Sequence, residues 1–132
     1  MVDTLGLVMK VLVTEANVPE RQGAEWLISS FGERFPRLKL IWVDGGFDGQ
    51  EFTQHIHDEY GLTLEVVKRP DGSKGFVPLP RRWVVERTFA WLGNYRRLSK
   101  DYEYWVYSAD AMIYATMTHL MLRRLACPHA KT

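Results

Sequence analysis

The sequence predicts an α/β fold, a mixed sheet flanked by helices, and three observations carry that reading. Short β-branched and aliphatic runs at residues 7–14, 38–43 and 63–68 alternate with two segments whose apolar residues recur at helical spacing. The resulting order of strand, helix, strand, helix, strand favours parallel pairing in its later part. At 132 residues and 46% hydrophobic content, the chain has the material for one domain with a core of its own.

Residues 7–14 (LVMKVLVT) follow Asp3-Thr4-Leu5-Gly6, which has turn chemistry. They read as the second arm of a hairpin whose first arm would lie before Met1, so a sheet with an unpaired edge is expected here. Asn17 followed by Glu20 marks a helix start, and Ala24, Leu27, Ile28, Phe31 and Phe35 keep helical spacing until Pro36. Residues 38–43 (LKLIWV) are almost continuously apolar and close on Asp44-Gly45-Gly46, as suits a strand buried on both faces. Phe52, Ile56 and Tyr60 then form the stripe of a second helix ending at Gly61, and residues 63–68 (TLEVVK) make a third strand.

Residues 69–81 hold three prolines and two glycines and read as a loop. From Trp83 to about Leu98, helical spacing returns through Val85, Phe89, Leu92 and Tyr95. Ser108 is a candidate cap for a last helix with Ile113, Met117, Leu120, Met121 and Leu125 on its apolar positions. Trp26, Trp42 and Trp91 sit in or beside core patterns, and core is the preferred reading over base stacking.

The formal charge of +1 hides a strong asymmetry along the chain. Residues 1–67 carry five Lys/Arg against eleven Asp/Glu, whereas residues 68–100 carry nine cations against Asp71 and Glu86 alone. That concentration makes a local positive field suited to a polyanion, or else a solvated basic face. A lone cysteine, Cys127, rules out a disulfide framework within the chain and a cysteine metal site. No apolar run approaches the roughly 20 residues that span a bilayer, so a soluble, cytoplasmic protein without a membrane role is expected.

Asp44 is the first chemical candidate, because ligands gather outside the carboxyl ends of parallel strands and Gly45-Gly46 admits close approach. A plain turn is the alternative. Glu86 is the second, on a helical stripe with Arg82, Ala90, Gly93 and Arg97 that would present one acid between two arginines. An ordinary Arg82–Glu86 helix pair competes with it. The two carboxylates are hard oxygen ligands of the kind Mg²⁺ or Mn²⁺ prefers, and a two-ion site needs a third. His55, His57, Asp58 and Glu59 alternate with apolar positions and read as the solvated face of a helix, and His119 as a packed or partly exposed histidine.

The strings VDTLGLV, EANVPERQGAEWL, FPRLKLIWVDGGFDG and LEVVKRPDGSKGFVPLPRRWVVERTFAWLGNYRRLSKDYE together resemble the DDE transposases of bacterial insertion sequences over nearly the whole chain. The resemblance implies a ribonuclease H-like fold of five strands, here lacking the first two, in which three acids hold two divalent ions. Asp44 matches the second acid and Glu86 the third. The first belongs to an upstream strand, and Asp3, which matches a hairpin-turn position, does not replace it. The implied function is DNA transposition by metal-dependent strand cleavage and strand transfer. Arg82, Arg87, Arg96, Arg97, Lys74 and Lys100 would contact DNA. The implied partners are DNA, an upstream segment or full-length transposase, and further copies of the chain in a homo-oligomeric active assembly, nucleoid-associated when bound to DNA. By the same resemblance the chain is similar to the product of the second of two overlapping reading frames, or to a fragment of a decayed element. The alternative function is that of a catalytically inactive fragment that binds DNA or transposase and modulates transposition. No helix-turn-helix is evident in the chain.

Overall fold

A computed structural model describes residues 1–31, 34–67, 83–100 and 102–127. The chain divides into two compact units, one formed by residues 16–83 and the other by residues 1–15 with residues 84–132.

The first unit is a small α/β layer. Helix α1 (Glu20–Ser29) has Pro19 rather than Asn17 at its N-cap, with Glu20 in its first turn where an acid favours the helix dipole. It ends at Ser29, before Pro36. Ser30 and Phe31 leave the helix through tight backbone bonds, and the rings of Phe31 and Phe35 meet edge to face at 5.5 Å. Strand β1 (Leu40–Val43) then runs into a 3-10 turn (Gly45–Phe47), helix α2 (Gln50–Tyr60) and strand β2 (Thr63–Val66). Gly61 closes α2 in the left-handed conformation at φ 65°, as its place after the last apolar position predicts.

β1 and β2 pair in parallel, Leu40 opposite Thr63 and Val43 opposite Val66, so the strand, helix, strand unit forms as expected. The core of this unit is Ile28, Phe31, Ile56, Leu62 and Leu64, with Ile56 fully buried. β1 itself departs from the sequence reading. Its residues alternate between exposed and half-buried instead of being covered on both faces, and Trp42 is exposed with its indole N–H on Glu65 at 3.0 Å. Trp26 is likewise exposed, so neither tryptophan is a core residue.

The second unit joins the N-terminal segment to helices α3 (Trp83–Gly93) and α4 (Val106–Ala126), with a 3-10 turn (Arg96–Leu98) between them. The turn at Asp3–Gly6 forms as predicted. The Asp3 carboxylate accepts from the Leu5 and Leu7 amides, Gly6 sits at φ 81°, and Val2 bridges Val8 antiparallel. Residues 7–14 nevertheless form no strand. The Val11 amide donates to the Tyr114 hydroxyl and the Val13 amide to the Asp110 carboxylate, both on α4. Side chains of a helix thus occupy backbone donors that a neighbouring strand would otherwise take.

α3 stops at Gly93, five residues short of the predicted end, and α4 begins at Val106 with Trp105 rather than Ser108 at its cap position. Two guanidinium groups approach the Trp91 ring, Arg87 at 4.9 Å and Arg124 at 4.1 Å from its centroid, cation–π contacts of which the second ties α3 to α4. Met117 and the hydroxyl-bearing Thr88 and Thr116 are buried in this unit, while Phe89 and Leu125, expected on core stripes, are exposed. Among the described residues, no helix is long and apolar enough to cross a membrane.

Candidate active site

Asp44 stands where the sequence places it, at the C-terminal end of β1. Its backbone is extended (φ −84°, ψ −179°), which turns the carboxylate onto the start of the 3-10 turn, where Oδ1 accepts the Gly46 N–H at 3.0 Å. One carboxylate oxygen therefore caps the turn, as the turn reading expects, while the residue stays exposed to solvent.

Glu20 is a carboxylate that the sequence reading treated only as a helix-start signal. A Cβ added to Gly46 would lie 3.2 Å from Asp44 Oδ1 and 3.2 Å from Glu20 Oε2, so the two acids flank the bare Cα of this glycine. The signal that pairs them is tertiary, because Glu20 and Asp44 lie 24 residues apart in sequence. Arg21, next on α1, braces the same turn by donating to the carbonyls of Gly46 (3.4 Å) and Asp48 (2.6 Å). A shallow cleft of about 820 Å³ continues from there along α2, lined by Arg21, Gln50, Phe52 and His55 among others. The His55 imidazole meets the Glu25 carboxylate at 2.9 Å on an exposed face. That hydrogen bond holds its pKa above the ordinary histidine value, with the nearby charges of Glu25, Glu59 and Asp58 adding to it. The His55–Glu59 cluster is thus a solvated helix face, and among the described residues no group of three His, Cys, Asp or Glu converges as a metal site would require.

Glu86 lies in the first turn of α3 and is exposed. It belongs to the second unit and Asp44 to the first. The helix that carries Glu86 is anchored two residues further on. Thr88 Oγ1 donates to the Gly6 carbonyl at 2.7 Å, and Arg87 Nη2 donates to the Leu5 carbonyl at 2.9 Å. Arg87, a predicted DNA contact, is therefore engaged by the N-terminal turn and the Trp91 ring.

The stripe running from Arg82 to Arg97 does not persist, because α3 ends at Gly93 and Arg97 sits on the following 3-10 turn. There its guanidinium pairs with the Glu103 carboxylate, which holds it even more firmly protonated. Arg96 and Lys100 are exposed. Arg82 and Lys74 lie outside the described residues.

As ligands, Asp44 and Glu86 offer solvent-exposed carboxylate oxygens, the donor type hard divalent cations take. They do not by themselves complete a two-ion site. The family described as "Transposase DDE domain" matches residues 1–121. The chain is also 28% identical over 108 residues to a protein of Burkholderia cepacia described as "Putative transposase for insertion sequence element IS402". The aligned part is 76% of this chain and 50% of that relative, so the chain spans about half the length of the curated protein it matches. No solved structure matches it. With the family match covering nearly the whole chain, the protein belongs to the DDE transposase family.

Proposed function

We propose that this chain is part of the catalytic domain of an insertion-sequence transposase and contributes two of the three acids for DNA strand cleavage and strand transfer. The observation that carries this reading is Asp44, an exposed carboxylate at the C-terminal end of a parallel strand, beside two glycines, in a chain of this family. Asp44 and Glu86 would hold Mg²⁺ or Mn²⁺ together with a third acid from a further segment of the transposase. Bound ions would supply activation of the attacking oxygen and stabilisation of the leaving one during in-line attack on a phosphodiester. The chain's own residues orient and bind. The Gly46 amide fixes the Asp44 carboxylate, the Thr88 bond to the N-terminal turn holds α3 in place, and Arg82, Arg87, Arg96, Arg97, Lys74 and Lys100 neutralise DNA phosphates. In this reading, the parallel β1–β2 pair is part of a ribonuclease H-like sheet, and the active assembly contains further copies of the transposase.

A second reading has one specific observation in its favour. Among the described residues no three acids converge, which suits a fragment that binds DNA or full-length transposase without cutting.

A nicking assay separates the two readings. Supplied with the remaining transposase segment, the chain is expected to nick DNA in Mg²⁺ or Mn²⁺ but not Ca²⁺. Asp44→Asn and Glu86→Gln should each abolish nicking and leave DNA binding intact. Nicking that survives a substitution removes that residue from the site, and failure to nick under all these conditions favours the inactive fragment.

A further inference from the structure

The segment that enters α4 leaves an unusual set of rings in water. Tyr104 is 89% exposed, Tyr107 66% and Trp105 57%, and Tyr102 just before them is exposed as well. The rings are mutually ordered. Tyr104 meets Trp105 edge to face at 5.0 Å, and Trp105 lies nearly parallel to Tyr107, with 18° between planes and 5.9 Å between centroids. Exposed apolar groups of this size, clustered rather than scattered, mark a surface that something covers.

The charges of the same segment select the occupant. The 3-10 turn Arg96–Leu98 packs on α4 and presents Arg96, and Lys100 follows it. Both are exposed, and among the described residues no acid pairs with either. The nearby carboxylate of Glu103 is largely covered and already engaged by Arg97. Flat rings in the same segment as exposed cations match an unpaired stretch of nucleic acid, whose bases offer π-faces and whose backbone offers phosphates. Duplex DNA keeps its bases stacked inside and would use the cations but not the rings. An apolar protein partner would use the rings but gain little from the cations.

We propose that Tyr104, Trp105 and Tyr107 form a stacking platform for unpaired nucleobases, with Arg96 and Lys100 holding the adjoining phosphates. The proposal rests on the DNA-acting role above and deepens it, because strand cleavage creates ends whose bases can leave the duplex stack.

The test compares the full chain with Tyr104→Ala, Trp105→Ala and Trp105→Phe, measuring anisotropy with labelled oligo(dT) of about 20 nucleotides and a duplex of equal length. Each alanine variant is expected to weaken oligo(dT) binding about tenfold, with Trp105→Phe close to the parent. Duplex affinity should change by no more than about twofold, and the salt slope on oligo(dT) should not move, since stacking releases no counterions. Tyr104 is so exposed that its alanine variant loses little packing beyond the edge-to-face contact with Trp105, and a circular dichroism melt of each protein checks that the fold is kept. Equal losses on both DNAs, or no loss on oligo(dT), overturn the platform. So does a parent dimer that the alanine variants convert to monomer at unchanged DNA affinity, which would assign the rings to a second copy of the chain. If the parent binds neither DNA, the DNA-acting role falls as well; if it binds duplex normally and only the platform effect is missing, that role stands and the stacking inference alone is lost.

Discussion

Replacing Gly6 with alanine tests whether the N-terminal turn is the anchor of the helix that carries Glu86. Gly6 has φ 81°, and a Cβ there would lie 2.9 Å from Thr88 Oγ1, 3.1 Å from a Trp91 ring carbon and 3.4 Å from Arg87 Nη2. The backbone alone costs an L-residue roughly 1–2 kcal/mol in the left-handed region. Relieving the clash with Thr88 means moving the hydroxyl that bonds the Gly6 carbonyl at 2.7 Å, a loss of about 0.5–1.5 kcal/mol. Gly6→Ala is therefore expected to destabilise by about 1.5–3.5 kcal/mol.

Gly61 supplies the control. Its φ is 65° but nothing lies within 4 Å of an added Cβ, so Gly61→Ala should cost only the backbone part, roughly 1–2 kcal/mol. Urea unfolding followed by circular dichroism, at unchanged m-value, gives both numbers. A Gly6→Ala cost no greater than that of Gly61→Ala would show that Thr88 and Trp91 do not wall the turn, and the anchoring argument for α3 would fail with it.

Changing Arg96 and Arg97 to alanine is expected to lower the slope of log affinity against log salt on duplex DNA by up to about 0.9 for each phosphate that is no longer neutralised. Arg96 should contribute the larger share because Glu103 already engages Arg97, and an unchanged slope would mean that the basic surface lies elsewhere. The His55–Glu25 pair raises the folded-state pKa of His55, so its stabilising effect is full below the ordinary histidine pKa and disappears as pH rises through the raised folded value. An NMR titration of His55 reads this directly, and Glu25→Gln should bring the midpoint back down towards the ordinary value.

Local pattern was enough to place α2, β1, β2 and the Gly61 cap, though not to say which faces of β1 are covered. Each depends on near neighbours in sequence: one apolar stripe, two short β-branched runs and a glycine where the chain must reverse. Asp44 was legible for the same reason, since a strand followed by Asp-Gly-Gly places a carboxylate at a strand end whatever surrounds it. The fate of residues 7–14 was not legible. Their composition is that of a strand, but their amide partners are Tyr114 and Asp110, about a hundred residues away on α4. Such long-range partners override β-propensity.

Burial followed the same division. Trp42 and Phe89 sit in apolar patterns yet remain exposed, because periodicity tells which face of an element is apolar and not whether another element covers it. The pairing of Glu20 with Asp44 across Gly46 and the clasp of Thr88 on Gly6 likewise arise only when distant segments meet. Residue chemistry and spacing along the chain supplied the candidates, hard carboxylates and a basic segment, because those properties travel with the sequence. Only the tertiary structure decided which donors are occupied and which rings stay in water, because hydrogen bonding and burial depend on what comes within a few ångströms.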